Sequence, residues 1–174
     1  SRVTLRRRFP VYALIMHLHR RYSYRRTLPH LQKNNHPIFV TFSTQKRWLL
    51  PENVRIHVLD SCLAEHQRVI ELHAAVVMPD HVHLIFTALR ETGGWIFSLP
   101  DIMRLIKGRS THNINQTLGG AGAVWQDECF DHVLRGNESL REKVDYICQN
   151  PVRAGLVSGT ENYPWLWRGG IPVI

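Results

Sequence analysis

Two histidines, His81 and His83, stand one residue apart in a run of apolar and β-branched residues that is typical of a β-strand. Successive side chains of a strand point to opposite faces, so both imidazoles share one face and Val82 lies on the other. Neutral imidazole is a common metal ligand, and two of them can hold a divalent cation whose coordination is completed by oxygen ligands and water. Since such pairs more often have a structural role, this one alone indicates metal binding only weakly.

A tyrosine and an amide lie one helical turn apart further along the chain. Residues 138–149 are predicted to form a helix, in which Tyr146 lies about 200° around the axis from Val144 of the apolar stripe. Asn150 follows four residues after the tyrosine, on the same polar side. Beside a metal ion, a phenolic oxygen can attack a phosphodiester and an amide oxygen can serve as a hard ligand. Without that context, Tyr146 is interpreted as an ordinary surface residue.

The elements that position these residues are predicted in the order β-α-β-β-α-β, with a further helix after them. This order favours an α+β, ferredoxin-like sandwich. We expect a mostly antiparallel sheet with its main helices on one face and a single core, plus the helix that carries the tyrosine. The aromatic tail over residues 163–167 is expected to pack on this body. The predicted strands are residues 37–44, 69–78, 81–88 and 124–134, and the predicted helices are residues 51–66, 99–118 and 138–149, with Asn137 as the N-cap of the last.

The composition indicates one globular domain with a basic extension. The chain has 174 residues, 44% of them hydrophobic, and no apolar run approaches the roughly 20 residues of a membrane span. Three widely spaced cysteines without a C-x-x-C pair favour a reducing, cytoplasmic location. The formal net charge of +8 arises from eight arginines in residues 1–26, because the remainder has equal numbers of basic and acidic side chains. We therefore divide the chain into an N-terminal extension, residues 1–24, and a single domain, residues 25–174.

Both chemical motifs lie in segments that resemble one family. Residues 78–86 (MPDHVHLIF) are similar to the histidine–hydrophobic–histidine (HUH) segment of the single-tyrosine transposases of the insertion-sequence type. Residues 146–157 (YICQNPVRAGLV) are similar to the catalytic helix and following loop of the REP-associated branch of that family. The resemblance covers about residues 25–170. Residues 26–30, 39–42, 125–126 and 130–135 also resemble that branch, in the same order.

The resemblance implies a metal-dependent transposase that cuts and rejoins single-stranded DNA. By similarity, Tyr146 would attack the scissile phosphate, become linked to the DNA 5′ end and release a 3′ hydroxyl. The side chains of His81, His83 and Asn150 would hold Mg²⁺ or Mn²⁺ against a phosphate oxygen, where the cation neutralises developing charge. Members of this branch recognise short palindromic repeats folded as DNA hairpins. Related transposases often act as dimers, so the resemblance alone suggests a homodimer.

Basic and aromatic side chains offer contacts to such a strand. Phosphate contacts would position the DNA, whereas stacking and base-edge contacts would select its sequence. Arginine-rich runs are more often solvated tails, although they can also lie along phosphates. The candidates for phosphate contact are Arg104, Lys107 and Arg109 on the helix over 99–118, with Arg25 and Arg26 of the basic segment, and the candidates for base stacking or for packing are Trp48, Trp95 and Trp125.

Two other classes of function stay open. A non-catalytic protein that binds REP-like DNA hairpins would need none of the chemistry above, and the presence of the whole histidine, tyrosine and asparagine set favours the enzyme. A metal-independent, ferredoxin-like domain that binds RNA would need aromatic residues on adjacent central strands as a stacking platform. The alternation of a strand places Phe39 and Phe42 on opposite faces, which weakens that interpretation.

Overall fold

The computed structural model describes residues 36–90, 93–94, 96–134 and 139–170. The predictions for the N-terminal extension, for Arg25 and Arg26, for Trp95 and for Asn137 fall outside these residues. Within the described part of the chain, no helix is both long and apolar enough to cross a membrane.

Five strands form one antiparallel sheet in the order β4-β1-β3-β2-β5. The strand that carries the two histidines, β3, lies at its centre, between β1 and β2. The predicted α+β sandwich is confirmed. The strands are β1 (Ile38–Ser43), β2 (Ile70–Val77), β3 (His81–Ala88), β4 (Phe130–Val133) and β5 (Leu166–Arg168), and the helices are α1 (Glu52–Leu63), α2 (Leu99–Leu118), α3 (Leu140–Cys148) and α4 (Asn150–Arg153).

The sheet is covered on both faces, and each face has its own apolar core. Helices α1 and α2 cover one face, where Phe42 and Val82 pack with Ile106. Helix α3 covers the other face, where Ile85 packs with Val144. The expectation of a single core was wrong, because the central strands are apolar on both faces and leave a second surface to be buried.

Two strands differ from their predicted extents. Only Phe130–Val133 of the predicted strand over 124–134 pairs with β1, and Trp125 makes an isolated bridge to Thr44. In the intervening segment the Gln126 amide donates to the Ser43 carbonyl at 2.9 Å, and Lys107 Nζ donates to the carbonyls of Gln126 and Asp127, at 2.9 and 3.2 Å. The aromatic tail does pack on the body, as expected, and it also supplies the short strand β5, which pairs with β2.

The helix that carries Tyr146 begins at Leu140 rather than at residue 138. The Ser139 hydroxyl accepts from the amide of Glu142 at 3.2 Å, so this serine caps the helix. The helix ends at Cys148, one residue before the predicted end, and Pro151 lies in the first turn of α4. A second helical turn therefore follows the tyrosine helix at once and carries Asn150.

We expect Trp125→Ala to lower the free energy of unfolding by about 3–5 kcal/mol, since it empties a core position. The indole is 4% exposed, donates to the Ser110 hydroxyl at 2.9 Å and packs edge-on against Phe42. Urea denaturation measures the change, with Leu118→Ala as an exposed control that stays within about 0.5 kcal/mol of wild type. A loss as small as the control's would mean that this tryptophan is not a core residue and would restore it as a candidate for base stacking.

Candidate active site

The two histidines converge at the start of β3. Their Nε2 atoms are 3.2 Å apart, and the ring centroids are separated by 4.7 Å. Both side chains are partly exposed on the α3 face of the sheet, while Val82 between them is buried on the opposite face. The predicted alternation is therefore confirmed, and the two nitrogen atoms that face each other form the candidate metal-binding edge.

Each histidine is held at its other ring nitrogen. The Nδ1 atom of His81 lies 2.6 Å from a carboxylate oxygen of Asp80, and that of His83 lies 2.8 Å from the hydroxyl oxygen of Thr41. Thr41 is the cross-strand neighbour of His83, because β1 and β3 pair in that register. Partners of this kind fix the tautomer and the orientation of a ligating imidazole, so both rings are held with their Nε2 atoms facing each other.

His83 is the more enclosed of the two imidazoles. Burial, together with the positive charges that His81 and Arg153 can carry nearby, lowers the pKa of His83 from 6.5 to about 4. Its ring also stacks on Phe39, with 5.7 Å between centroids. At neutral pH the His83 ring is therefore uncharged, which is the form that can donate a lone pair to a cation.

The nucleophile candidate, Tyr146, lies on the exposed side of α3. Its side chain is 54% exposed, whereas Val144 and Ile147 of the same helix are fully buried against the sheet. Two cations flank its ring, with the Arg153 guanidinium 4.0 Å and the Lys143 ammonium 5.5 Å from the centroid. The phenol is therefore accessible and has a positive environment that favours the approach of a phosphate.

Arg153 contacts both Tyr146 and Asn150 at the end of α3. Its guanidinium donates to the Tyr146 carbonyl at 2.5 Å and to the side-chain oxygen of Asn150. The positive charge of the same guanidinium contributes to the lowered pKa of His83. Arg153 thus links Tyr146 and Asn150 through its hydrogen bonds.

A second connection runs through the sheet face itself. Lys143 Nζ lies 5.0 Å from the centroid of Phe39 as well as 5.5 Å from that of Tyr146, and Phe39 in turn stacks on His83. The tyrosine and the histidine pair are therefore parts of one continuous cluster of side chains. Sequence spacing predicts each motif, but only the packing of α3 on this face brings them together.

Comparison with known proteins identifies the family of the chain. A family model for IS200-like transposases matches residues 11–150. The chain belongs to the IS200-like transposase family. The chain is also 34% identical over 101 residues to the REP-associated tyrosine transposase of Escherichia coli, a match that covers 58% of this chain and 56% of the relative. A relative in Haemophilus influenzae is 25% identical over 100 residues, 55% of this chain and 57% of the relative.

The fold of this IS200-like transposase is also found in a solved structure. That structure is of a REP-associated tyrosine transposase bound to a REP hairpin, and the TM-score is 0.57 at 24% sequence identity. The match covers 88% of this chain and 94% of the other, and it supports the fold. The chain spans a little more than half the length of the curated relatives it matches.

The donor set of this IS200-like transposase fits a hard divalent cation. Two neighbouring ligands about 2.1 Å from an octahedral cation lie about 3 Å apart, close to the 3.2 Å between the two Nε2 atoms. No group of three or more histidine, cysteine, aspartate or glutamate side chains that could hold a metal occurs in the described residues. The Asn150 amide offers an oxygen donor of the kind that such a cation takes.

The predicted phosphate contacts of α2 lie on the other side of the sheet from the histidine pair, because α2 packs on the face that buries Val82. Each of these side chains has a protein partner. Lys107 donates to backbone carbonyls, Arg104 pairs with Asp101 at 3.0 Å and Arg109 pairs with the buried Glu65 at 3.2 Å. Their contact with DNA stays a prediction, as does that of Arg25 and Arg26.

Four residues of the site were missed by sequence reasoning. Thr41 and Asp80 hold the histidines, and Lys143 and Arg153 flank the tyrosine. The position of Asp80 directly before His81 was a usable signal, as was the helical spacing of Lys143 from Tyr146. Thr41 depends on the strand register, which the sequence does not specify.

Proposed function

We propose that this chain is a metal-dependent transposase that cleaves and rejoins single-stranded DNA near repeat hairpins through a 5′-phosphotyrosine intermediate. The observation that carries the proposal is the pair of Nε2 atoms that face each other, 3.2 Å apart, in one side-chain cluster with the exposed Tyr146. The proposed partners are single-stranded DNA with palindromic repeats and Mg²⁺ or Mn²⁺. We place the activity in the cytoplasm because its proposed substrate is DNA. The homodimer that the resemblance implies stays a prediction.

In the proposed reaction, the phenolic oxygen of Tyr146 forms a bond to the scissile phosphorus and the bond from phosphorus to the 3′ oxygen breaks. The phenolic proton is lost during the attack, and the leaving 3′ oxygen takes up a proton from water. His81, His83 and Asn150 would hold the cation, which when bound would neutralise charge on the phosphate. Lys143 and Arg153 would attract the phosphate to the tyrosine, and orientation of the reacting atoms would supply much of the remaining rate enhancement.

A labelled oligonucleotide tests the proposal directly. Single-stranded DNA carrying the repeats that flank the gene, labelled at its 3′ end, is incubated with the protein and Mn²⁺ or Mg²⁺ and separated on a denaturing protein gel. A labelled protein band that requires the metal supports the phosphotyrosine mechanism. Tight hairpin binding with neither an adduct nor cut DNA would instead support the non-catalytic hairpin-binding protein.

We expect Asp80→Asn to weaken Mn²⁺ binding by about 10- to 100-fold, the usual effect of removing the partner of a ligating histidine. The carboxylate lies 2.6 Å from His81 Nδ1, and an amide would hold that ring less strongly. Electron paramagnetic resonance of Mn²⁺ measures the affinity without DNA. Asp101→Asn, which removes a carboxylate of similar exposure on α2, serves as the control. Equal Mn²⁺ affinity of Asp80→Asn and wild type would contradict a role for this carboxylate in positioning the ligand.

A further inference from the structure

The loop between β1 and α1, residues 44–51, is fixed at both ends to the turn that precedes His81. The amide of Thr44 donates to the Asp80 carbonyl at 2.9 Å, and the amide of Leu50 donates to the Pro79 carbonyl at 2.7 Å. The Thr44 hydroxyl makes a further bond of 3.1 Å to the Asp80 carbonyl. The middle of the loop is therefore held next to the histidine pair.

Between these anchors the loop presents cations and an indole to solvent. Trp48 is 40% exposed, Leu49 is 65% exposed, and the Arg47 side chain is 60% exposed. Lys46 is also exposed. This combination of aromatic surface and positive charge is the one that proteins use to bind single-stranded nucleic acid, because bases stack on the rings while cations contact the backbone.

The backbone holds the two cationic residues in an uncommon conformation. Lys46 and Arg47 have φ values of 50° and 57°, in the left-handed region that residues other than glycine rarely adopt. The turn is closed by the Trp48 amide, which donates to the Gln45 carbonyl at 2.9 Å. Such conformations persist where surrounding contacts impose them, and they cluster at binding and catalytic sites.

The loop is also connected to the metal-ligand candidate through side chains. The Arg47 guanidinium lies 3.3 Å from one oxygen of Asp80, whose other oxygen lies 2.6 Å from His81 Nδ1. The guanidinium is therefore separated from a ligating imidazole by one carboxylate. None of the basic residues predicted on α2 has this relation to the histidines, because that helix packs on the other face.

We propose that the β1–α1 loop is a binding site for the single-stranded DNA that adjoins the scissile phosphate. Trp48 stacks on a base, and Lys46 and Arg47 contact the backbone phosphates beside it. The inference rests on the proposed function, because it takes the phosphate at His81 and His83 as the point from which the strand continues. It assigns the strand to a surface at the edge of the site rather than to α2.

The test is a binding measurement that requires neither metal nor cleavage. Anisotropy of fluorescein-labelled dT15 is measured with the full chain in EDTA. We expect Trp48→Ala to raise the Kd by about 5- to 10-fold, the lower part of the range for one base stacked on an aromatic side chain. We expect Arg47→Ala to weaken binding by a similar factor and to reduce the slope of log K against log salt by about 0.7, one phosphate contact in a single strand.

The chain offers matched controls for both substitutions. Arg104→Ala, at a candidate phosphate contact on α2, tests the alternative surface. The controls are Leu118→Ala, which removes an apolar side chain that is 41% exposed, and Arg168→Ala, which removes an exposed arginine that is ion-paired to an aspartate, as Arg47 is. Both controls should bind dT15 within about 2-fold of wild type. Circular dichroism and the Tm verify that each variant is folded. A weakening by Arg104→Ala as large as that by Arg47→Ala would overturn the assignment of the strand to the loop.

Photocrosslinking of the wild-type protein provides a measurement that does not depend on any variant folding. Wild type is irradiated with dT15 in which bromodeoxyuridine replaces some thymidines, and we expect the crosslinked peptide to contain Trp48. The inference would be overturned if the crosslinks were confined to other segments, or if the loop variants bound dT15 as tightly as wild type does. It would also be overturned if wild type did not bind dT15, or bound rU15 more tightly than dT15. The proposed function fails separately, through the absence of the phosphotyrosine adduct in the presence of metal.

Discussion

Tyr146→Phe is expected to form no covalent adduct with DNA and to lower the rate of strand cleavage by at least about 10⁴-fold, as when a catalytic nucleophile is removed. The substitution deletes one oxygen from a side chain that is 54% exposed. The phenyl ring can keep its contacts with the two flanking cations. Binding of the repeat hairpin should therefore stay within about 2-fold of wild type.

Tyr163→Phe is the matched control for that prediction. Its phenol is buried on the same face of the sheet and donates to the Val77 carbonyl at 2.7 Å. Loss of this bond should lower the free energy of unfolding by about 1 kcal/mol and leave adduct formation intact. The measurement is the labelled protein band after incubation with 3′-labelled single-stranded DNA and Mn²⁺. A labelled band from Tyr146→Phe as strong as that from wild type would remove Tyr146 as the nucleophile.

His83→Ala has the second largest expected effect, a fall of at least about 10³-fold in the cleavage rate together with loss of measurable Mn²⁺ binding. A bound cation would supply several kcal/mol of transition-state stabilisation, and this variant removes one of the two proposed nitrogen ligands. It also leaves the Thr41 hydroxyl without its 2.8 Å partner and removes the stack on Phe39, so the variant will be less stable. Cleavage is therefore measured well below the Tm of the variant.

His73→Ala separates the loss of a ligand from the loss of stability. His73 is buried in β2 and its Nε2 lies 2.8 Å from the Thr87 hydroxyl, so it has the same type of threonine partner as His83. We expect it to lower stability but to retain Mn²⁺ binding and adduct formation. Electron paramagnetic resonance and the adduct assay are run on both variants. Retention of Mn²⁺ binding by His83→Ala, or its loss in both variants, would contradict a specific metal site at His83.

The central elements follow from local sequence patterns. The bounds of β3 and of α2 agree with the patterns at both ends, because β3 is a run rich in apolar and β-branched residues and α2 has a long apolar stripe. Gly119, which has a φ of 63°, ends α2 in the left-handed conformation that glycine adopts without strain. By contrast, β5 has only three residues, too few for a periodic signal, and its pairing with β2 depends on contacts distant in sequence.

The functions of the basic side chains could not be predicted in the same way. Positive charge along α2 suggested a surface for phosphates, but Lys107 lies against the carbonyls of Gln126 and Asp127, and Arg109 pairs with the buried Glu65. These partners are 19 to 44 residues away in the sequence, so the local composition does not predict them. For the same reason, the sequence left Trp125 as a candidate for either packing or base stacking. Its burial beside Phe42 shows that it packs in the core.

The sequence by itself determined that His81 and His83 share a face of one strand and that Tyr146 leaves the apolar stripe of its helix. Both are consequences of backbone periodicity, which acts within a few residues. The link between these motifs depends on the tertiary structure. The pairing of β1 with β3 places Thr41 next to His83, and the second apolar face of the sheet buries Val144, so that Lys143 contacts both Tyr146 and the Phe39 ring that stacks on His83. Such contacts follow from the burial of apolar surface between distant segments, which no local pattern specifies.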